Sequence, residues 1–167
     1  WYPYMHVSPR GTLFHSGATT TMHELDISGT GTTTNKGNRD TGEVYRQWGS
    51  AIMVDKGKIM ITGGTPRETT IGSLKTAVML DINTTTPVAT KLPDMNYTRT
   101  YQTTVLLPNG EVFIAGGNGT GVEFSDAQSR LIPEIYSPNT NSWREGAAMR
   151  VPRNYHSTGT LLQDGRI

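Results

Sequence analysis

Val151-Pro-Arg-Asn-Tyr-His-Ser-Thr158 decides how this chain is read. It has a near twin 54 residues earlier: Met95-x3-Arg99-x-Tyr101-Gln102-Thr103-Thr104 matches Met149-x3-Arg153-x-Tyr155-His156-Ser157-Thr158. Each copy runs into an apolar pair and a turn, Leu106-Leu107-Pro108-Asn109-Gly110 in the first and Leu161-Leu162-Gln163-Asp164-Gly165 in the second. Asn-Gly and Asp-Gly between apolar runs are hairpin signals, because tight hairpin turns need residues that tolerate positive φ. The repeat is a scaffold unit. A histidine beside the tyrosine in one copy only marks a place where that scaffold carries a site.

Widening the search brings in more copies. Gly11-Thr-Leu-Phe-His-Ser-Gly17, Gly57-Lys-Ile-Met-Ile-Thr-Gly63-Gly64 and Gly110-Glu-Val-Phe-Ile-Ala-Gly116-Gly117 each set a turn glycine before an apolar strand with a small-residue end. Gly165-Arg166-Ile167 begins a fourth, and the turn glycines are 46, 53 and 55 residues apart. An aromatic stands nine residues before each of the first three (Tyr2, Trp48, Tyr101), and Tyr155 stands ten before the fourth. The unit reads as strand, tight turn, strand, Gly-Gly, outer strand, turn, outer strand. Its expected bounds are 1–46, 47–99 and 100–153, with a further unit starting over 154–167.

One unit is nearly complete: Gly116-Gly117, then Tyr136, six residues, and Trp143. This spacing resembles the kelch repeat, which forms one four-stranded propeller blade of roughly 50 residues. The implied fold is all-β, a partial kelch-type β-propeller of about three four-stranded blades out of an expected seven. Tyr136 and Trp143 are expected to pack between adjacent blades. The second unit is degenerate, with Met79-Leu80-Asp81-Ile82 in the Tyr136 place and no tryptophan after it. Ile27–Gly42 reads as a polar outer edge or loop. It lacks Gly-Lys-Ser or Gly-Lys-Thr and no helix pattern follows it, which excludes a nucleotide loop. Because the chain opens and stops inside strands, it reads as a fragment of a longer protein, with strand-rich faces left uncovered at both ends.

Composition sets the outer bounds. At 167 residues the chain is long enough to bury a core. Net charge is +1 with 17% charged residues, so no nucleic-acid surface or polybasic membrane patch is expected. No apolar run approaches the ~20 residues that span a bilayer. Trp1-Tyr2-Pro3-Tyr4 does not read as a signal peptide. With no cysteine, the chain has no disulfide, thiolate metal site or cysteine nucleophile of its own. Asn-x-Thr sequons stand at Asn83, Asn96 and Asn118.

Set on these repeats, Arg99-Thr100-Tyr101-Gln102 and Arg153-Asn154-Tyr155-His156-Ser157 resemble the galactose oxidase and glyoxal oxidase family of copper-radical oxidases. The resemblance covers essentially the whole chain. It is most specific over Pro152–Thr158 with the downstream Leu161–Arg166, and at Tyr101 in its own copy. It implies that Tyr101 is the radical-forming equatorial tyrosinate and that Tyr155 is the axial tyrosinate, acting as base toward a substrate alcohol. His156 is then one of two copper-binding histidines. The second is implied in a C-terminal domain beyond Ile167, since His6, His15 and His23 do not match it. Copper is the implied cofactor, with Tyr101, Tyr155 and His156 as ligands. The implied substrate is a primary alcohol, aldehyde or carbohydrate, with dioxygen reduced to hydrogen peroxide. Also implied are a secreted or cell-surface location and, as partners, the remaining blades and the C-terminal domain.

The chemistry agrees with that grouping. Copper(II) favours imidazole nitrogen and anionic oxygen in a tetragonal arrangement. Oxidising an alcohol removes two electrons and copper accepts one, so a second redox centre such as a tyrosine phenoxyl is needed. Neighbours such as Tyr155 and His156 point to opposite faces of a regular strand, so both reach one metal only where the strand bends or ends. Two departures stand against the pattern. Trp48 occupies the place of the family's cross-linking cysteine, and the aromatic stacked over the cross-link aligns near Gly119. Two other readings stay open. Tyr2, Trp48, Tyr101 and Tyr155 could simply fill the narrow end of a propeller, and the whole could be a non-catalytic propeller that binds carbohydrate or protein at the cell surface.

Overall fold

Short β-rich runs separated by Gly, Asn, Asp and Pro become twelve strands, and no helix forms among the described residues. The computed structural model describes residues 3–39, 42, 45–66 and 72–167. Tyr2, and Asp40 and Thr41 of the polar edge, lie outside the described residues.

The strands make three four-stranded antiparallel sheets, each a meander in chain order. The first holds β1 (Met5–Val7), β2 (Leu13–His15), β3 (Thr21–Asp26) and β4 (Thr32–Asn38). The second holds β5 (Ser50–Asp55), β6 (Lys58–Thr62), β7 (Ala77–Asp81) and β8 (Val88–Lys91). The third holds β9 (Thr103–Leu106), β10 (Val112–Ala115), β11 (Glu134–Ser137) and β12 (Ser142–Glu145). This is the all-β, blade-by-blade architecture of a propeller. The degenerate second unit builds a full sheet, because β7 keeps its register on β6 from Lys58↔Asp81 to Thr62↔Ala77. The polar edge contains β4, which is almost wholly exposed. No strand is assigned over 146–167, although Leu162 and Arg166 close a turn by an N–H···O bond of 2.8 Å.

The core shows why β6 is apolar on both faces. Alternation sends Ile59 and Ile61 one way, where they join Phe14 and Met22 of the first sheet with Leu80 and Ile82. It sends Met60 the other way, to Val112, Ile114 and Tyr136 of the third sheet, with Leu92 and Met95 from the connection. Tyr136 and Trp143 are direct cross-strand partners with ring centroids 5.1 Å apart, and they pack into this second cluster between the sheets.

Ionic links add to the apolar ones. Arg99 and Glu134 are both fully buried and paired at 2.9 Å. Arg99 also donates to the Gly116 carbonyl at 2.8 Å. Arg46 holds the corresponding place one sheet earlier and donates to the Gly63 and Thr76 carbonyls at 3.1 and 3.0 Å. Arg153 is exposed and donates to the Pro152 carbonyl at 3.2 Å. Among the sequons, Asn118 is fully buried and its side-chain NH₂ donates to the Val122 carbonyl, so no glycan fits there; Asn83 and Asn96 are exposed.

Two predictions follow from these ion pairs. Arg99→Ala strands the Glu134 carboxylate, so denaturant unfolding is expected to show a loss of about 3–5 kcal/mol, most of it restored by Arg99→Met with Glu134→Leu. A loss below about 1 kcal/mol would show the pair to be dispensable. Glu24 lies close to Thr12, Arg10 and Lys36. Burial works to raise its pKa, but those donors and the Arg10 charge outweigh burial and hold it at about 2. The folded value lies below the unfolded one (~4.3). Its contribution is therefore complete above that unfolded value and disappears as pH falls through about 2. Glu24→Gln is expected to flatten this acid limb of the unfolding profile.

Candidate functional site

The segments that link one sheet to the next are laid against glycine pairs. The Gly64 N–H donates to the Arg99 carbonyl at 2.8 Å, and the Gly117 N–H donates to the Arg153 carbonyl at 2.7 Å. A Cβ on Gly63 would collide with that Arg99 carbonyl, and one on Gly116 with the Arg153 carbonyl. This close approach is what the Gly-Gly pairs supply. It carries Trp48, Tyr101 and Tyr155 into a row. The Tyr101 N–H donates to the Trp48 carbonyl at 2.7 Å. Trp48 and Tyr101 have ring centroids 5.3 Å apart, and Tyr101 meets Tyr155 edge-on at 5.3 Å.

Backbone conformation then separates the copies. Trp48 and Tyr101 both sit in the left-handed region, with φ of 59° and 60°. In the last copy that conformation falls on His156, at 63°. Counted back from the turn glycines, Trp48, Tyr101 and His156 each stand nine residues before, at Gly57, Gly110 and Gly165. The extra residue of the last copy is thus accommodated at the Tyr155–His156 step. The Ser157 N–H closes a turn onto the Asn154 carbonyl at 2.9 Å. Positive φ at the third residue is what a type II turn needs. The turn cancels strand alternation: the Tyr155 and His156 rings lie stacked with centroids 3.7 Å apart. Phenol and imidazole therefore stand on the same side of the chain, as a shared metal requires.

The loop between β10 and β11 covers this turn. Asn118 holds its start, its side-chain oxygen accepting from the Gly121 N–H at 2.8 Å. The Phe124 ring is 86% exposed and meets Tyr155 edge-on at 5.1 Å. Sequence reasoning missed Phe124. Its one signal was a lone aromatic in a Gly/Ser-rich stretch, which does not say what it will touch. A cavity of about 190 Å³ lies on the other side, lined by Tyr4, Gln47, Trp48, Gln102 and His156 among others. Gln102 is anchored there by its side-chain NH₂, which donates to the Thr62 carbonyl at 2.8 Å.

Tyr101 and Tyr155 differ in their surroundings. Tyr101 is buried, and its hydroxyl donates to the Gly121 carbonyl at 3.1 Å. Burial, the Glu123 carboxylate and the neighbouring Tyr155 all push its pKa well above the ordinary phenol value. Tyr155 is half-buried and His156 exposed. His6 and His15 belong to the first sheet, with pKa values lowered mainly by burial. His15 and His23 face each other across β2 and β3 with rings 5.7 Å apart, and neither lies in the Tyr155–His156 turn. No group of three or more His, Asp or Glu side chains that could hold a metal occurs among the described residues. The turn therefore fits part of a copper ligand set, one phenol and one imidazole, and leaves the other positions to groups outside it.

Comparison with known proteins covers the same ground. All of residues 1–167 match the family described as "Glyoxal oxidase N-terminus". A galactose oxidase of Gibberella zeae is 31% identical over 166 residues, which are 95% of this chain and 24% of that protein. The aldehyde oxidase GLOX1 of Arabidopsis thaliana is 34% identical over 100 residues, 57% of this chain and 16% of that protein. A solved structure described as a novel fungal alcohol oxidase of the AA5 family, in complex with copper, superposes with a TM-score of 0.87 at 30% identity. The superposition covers 92% of this chain and 33% of that one. The matched parts thus make up about a sixth to a third of these longer relatives. Its sheets, its Gly-Gly docking and its sequence all lead to one assignment: the chain belongs to the galactose oxidase and glyoxal oxidase family.

Proposed function

We propose that this chain is the part of a secreted, kelch-type oxidase that presents Tyr155 and His156 to copper, and that the parent protein oxidises a primary alcohol or aldehyde while dioxygen is reduced to hydrogen peroxide. The observation that carries the reading is the His156 turn, which stacks imidazole on phenol within a chain whose family includes a copper-bound alcohol oxidase. The overall change balances as one primary alcohol and one dioxygen giving one aldehyde and one hydrogen peroxide, or as one aldehyde, one water and one dioxygen giving one carboxylic acid and one hydrogen peroxide. Copper, when bound, supplies one-electron redox capacity and lowers the pKa of a phenol beside it.

His156 would offer an imidazole nitrogen to the metal. Tyr155, as phenolate, accepts the proton of a substrate hydroxyl at its Oη, and its half-buried position leaves room for that approach. Tyr101, whose ring meets Tyr155 edge-on at 5.3 Å, is the second phenol of the proposed ligand set and the candidate for the radical-forming role. Its hydroxyl donates to the Gly121 carbonyl, a bond it would give up on losing its proton to bind the metal. Trp48 packs against it with ring centroids 5.3 Å apart, in the place of the family's cross-linking cysteine, so a radical there would be held without that cross-link. The second histidine comes from the part of the parent that this chain does not span, as do the blades and the C-terminal domain that complete the site.

Copper stoichiometry and electron paramagnetic resonance on the full-length parent test this reading. About one copper per chain with a tetragonal signal is expected, lost in His156→Ala. Tyr101→Phe is expected to abolish peroxide production and change the copper signal while the fold is kept, at a stability loss of about 1 kcal/mol for the hydrogen bond removed. No copper in the parent would overturn the oxidase reading in favour of a binding propeller. An unchanged copper signal and unchanged peroxide production in Tyr101→Phe would remove Tyr101 from the ligand set and leave it as packing.

A further inference from the structure

Tyr155 and His156 are held by their neighbour as well as by their own turn. Asn154 immediately precedes them, and its side-chain NH₂ lies 3.0 Å from the Ser125 carbonyl, 2.9 Å from the Asp126 carboxylate and 2.9 Å from the Ser129 hydroxyl. A carbonyl and a carboxylate accept only, so these partners fix which way the amide faces, nitrogen toward the loop. Its oxygen is turned inward, buried and without a partner. All three contacts reach the loop between β10 and β11, which belongs to the preceding sheet. The same loop carries Phe124 against the Tyr155 ring.

The repeat supplies an internal control. Thr100 stands one residue before Tyr101, as Asn154 stands before Tyr155. Its hydroxyl meets Ser73 of the preceding sheet's loop at 3.2 Å, and otherwise bonds to Asn118 of its own unit. One weak contact at the tyrosine with no histidine beside it becomes three closer contacts at the tyrosine that has one. A serine or threonine hydroxyl would donate a single bond at this position. The amide has the two protons and the reach to engage several acceptors, one of them charged and so stronger than a neutral partner.

We propose that Asn154 is a positioning residue that latches the Tyr155–His156 turn to the loop over 125–129. The latch fixes the turn in the conformation that keeps phenol and imidazole on one side, and it seats Phe124 on Tyr155. In its catalytic consequence the inference rests on the copper reading above; in its mechanical content it does not.

The test uses the full-length parent and the variants Asn154→Ala, Asn154→Asp and Asn154→Asp with Asp126→Asn. Amide hydrogen exchange over 122–130, read with and without copper, reports the latch itself. Asn154→Ala is expected to speed exchange there by at least tenfold while the β6 and β10 amides stay protected. Asn154→Asp is expected to speed it further, because two carboxylates then face each other. Exchanging the pair is expected to recover protection, since one amide and one carboxylate are again opposed. In the copper-loaded enzyme, Asn154→Ala is expected to retain the metal, change its paramagnetic resonance parameters and lower kcat by 10–100-fold, the usual cost of losing a partner that orients a ligand, with KM changing less. Unchanged exchange over 125–129 in Asn154→Ala overturns the latch, whatever the copper content. Faster exchange with unchanged spectrum and kcat overturns its role in positioning. A parent that binds no copper refutes the oxidase reading and leaves the exchange data to decide the latch.

Discussion

The structure depends on one recurring contact: a glycine N–H of one sheet donating to an arginine carbonyl of the next linking segment. Gly64 with Arg99 and Gly117 with Arg153 are its two instances. The contact is possible only because neither glycine pair has a Cβ to keep the backbones apart. It sets how far each sheet is offset from the last, so it also decides where the next aromatic falls. The arginine side chain reinforces the same junction. Arg99 crosses it to the Gly116 carbonyl and the Glu134 carboxylate, both buried. Apolar alternation along β6 then fills the wedge on both sides with Ile59, Ile61 and Met60.

From this frame the site follows by a single insertion. Trp48 and Tyr101 occupy the left-handed post themselves, and their rings turn into the row of packed aromatics. One extra residue before Gly165 moves that post to His156 and leaves Tyr155 one step earlier. A non-glycine residue in the left-handed region costs roughly 1–2 kcal/mol. Bonds on either side of it, from Ser157 to Asn154 and from Asn154 to the loop, offset that cost. Strain of this order placed beside a candidate ligand pair is a feature of functional sites.

Much of this was legible in the sequence, for definite reasons. Turn glycines, Gly-Gly pairs and the Tyr136/Trp143 spacing are local signals with one structural meaning each, and they led to the sheets and to the packing of those two rings. The requirement that the chain bend at Tyr155–His156 was also readable, because strand alternation forbids the alternative. Three things were not. The second unit looked degenerate by its aromatics, yet backbone pairing and aliphatic packing suffice to build its sheet. That the extra residue shifts the left-handed conformation onto His156 could not be read, since a histidine does not advertise positive φ as glycine does. Phe124 and Asn154 act through a loop whose path has no periodicity to read. Tyr101 matches Tyr155 in the repeat, but its hydroxyl lies on the Gly121 carbonyl beside Glu123, a setting that repeat position alone does not show.

The central claim is that one bend in the chain makes a phenol and an imidazole into a single donor pair. Anomalous diffraction at the copper edge, on crystals of the copper-loaded full-length parent, tests it most directly. The account predicts one peak bonded to both Tyr155 Oη and a ring nitrogen of His156. A peak that touches His156 without Tyr155, or no peak at either residue, would contradict it.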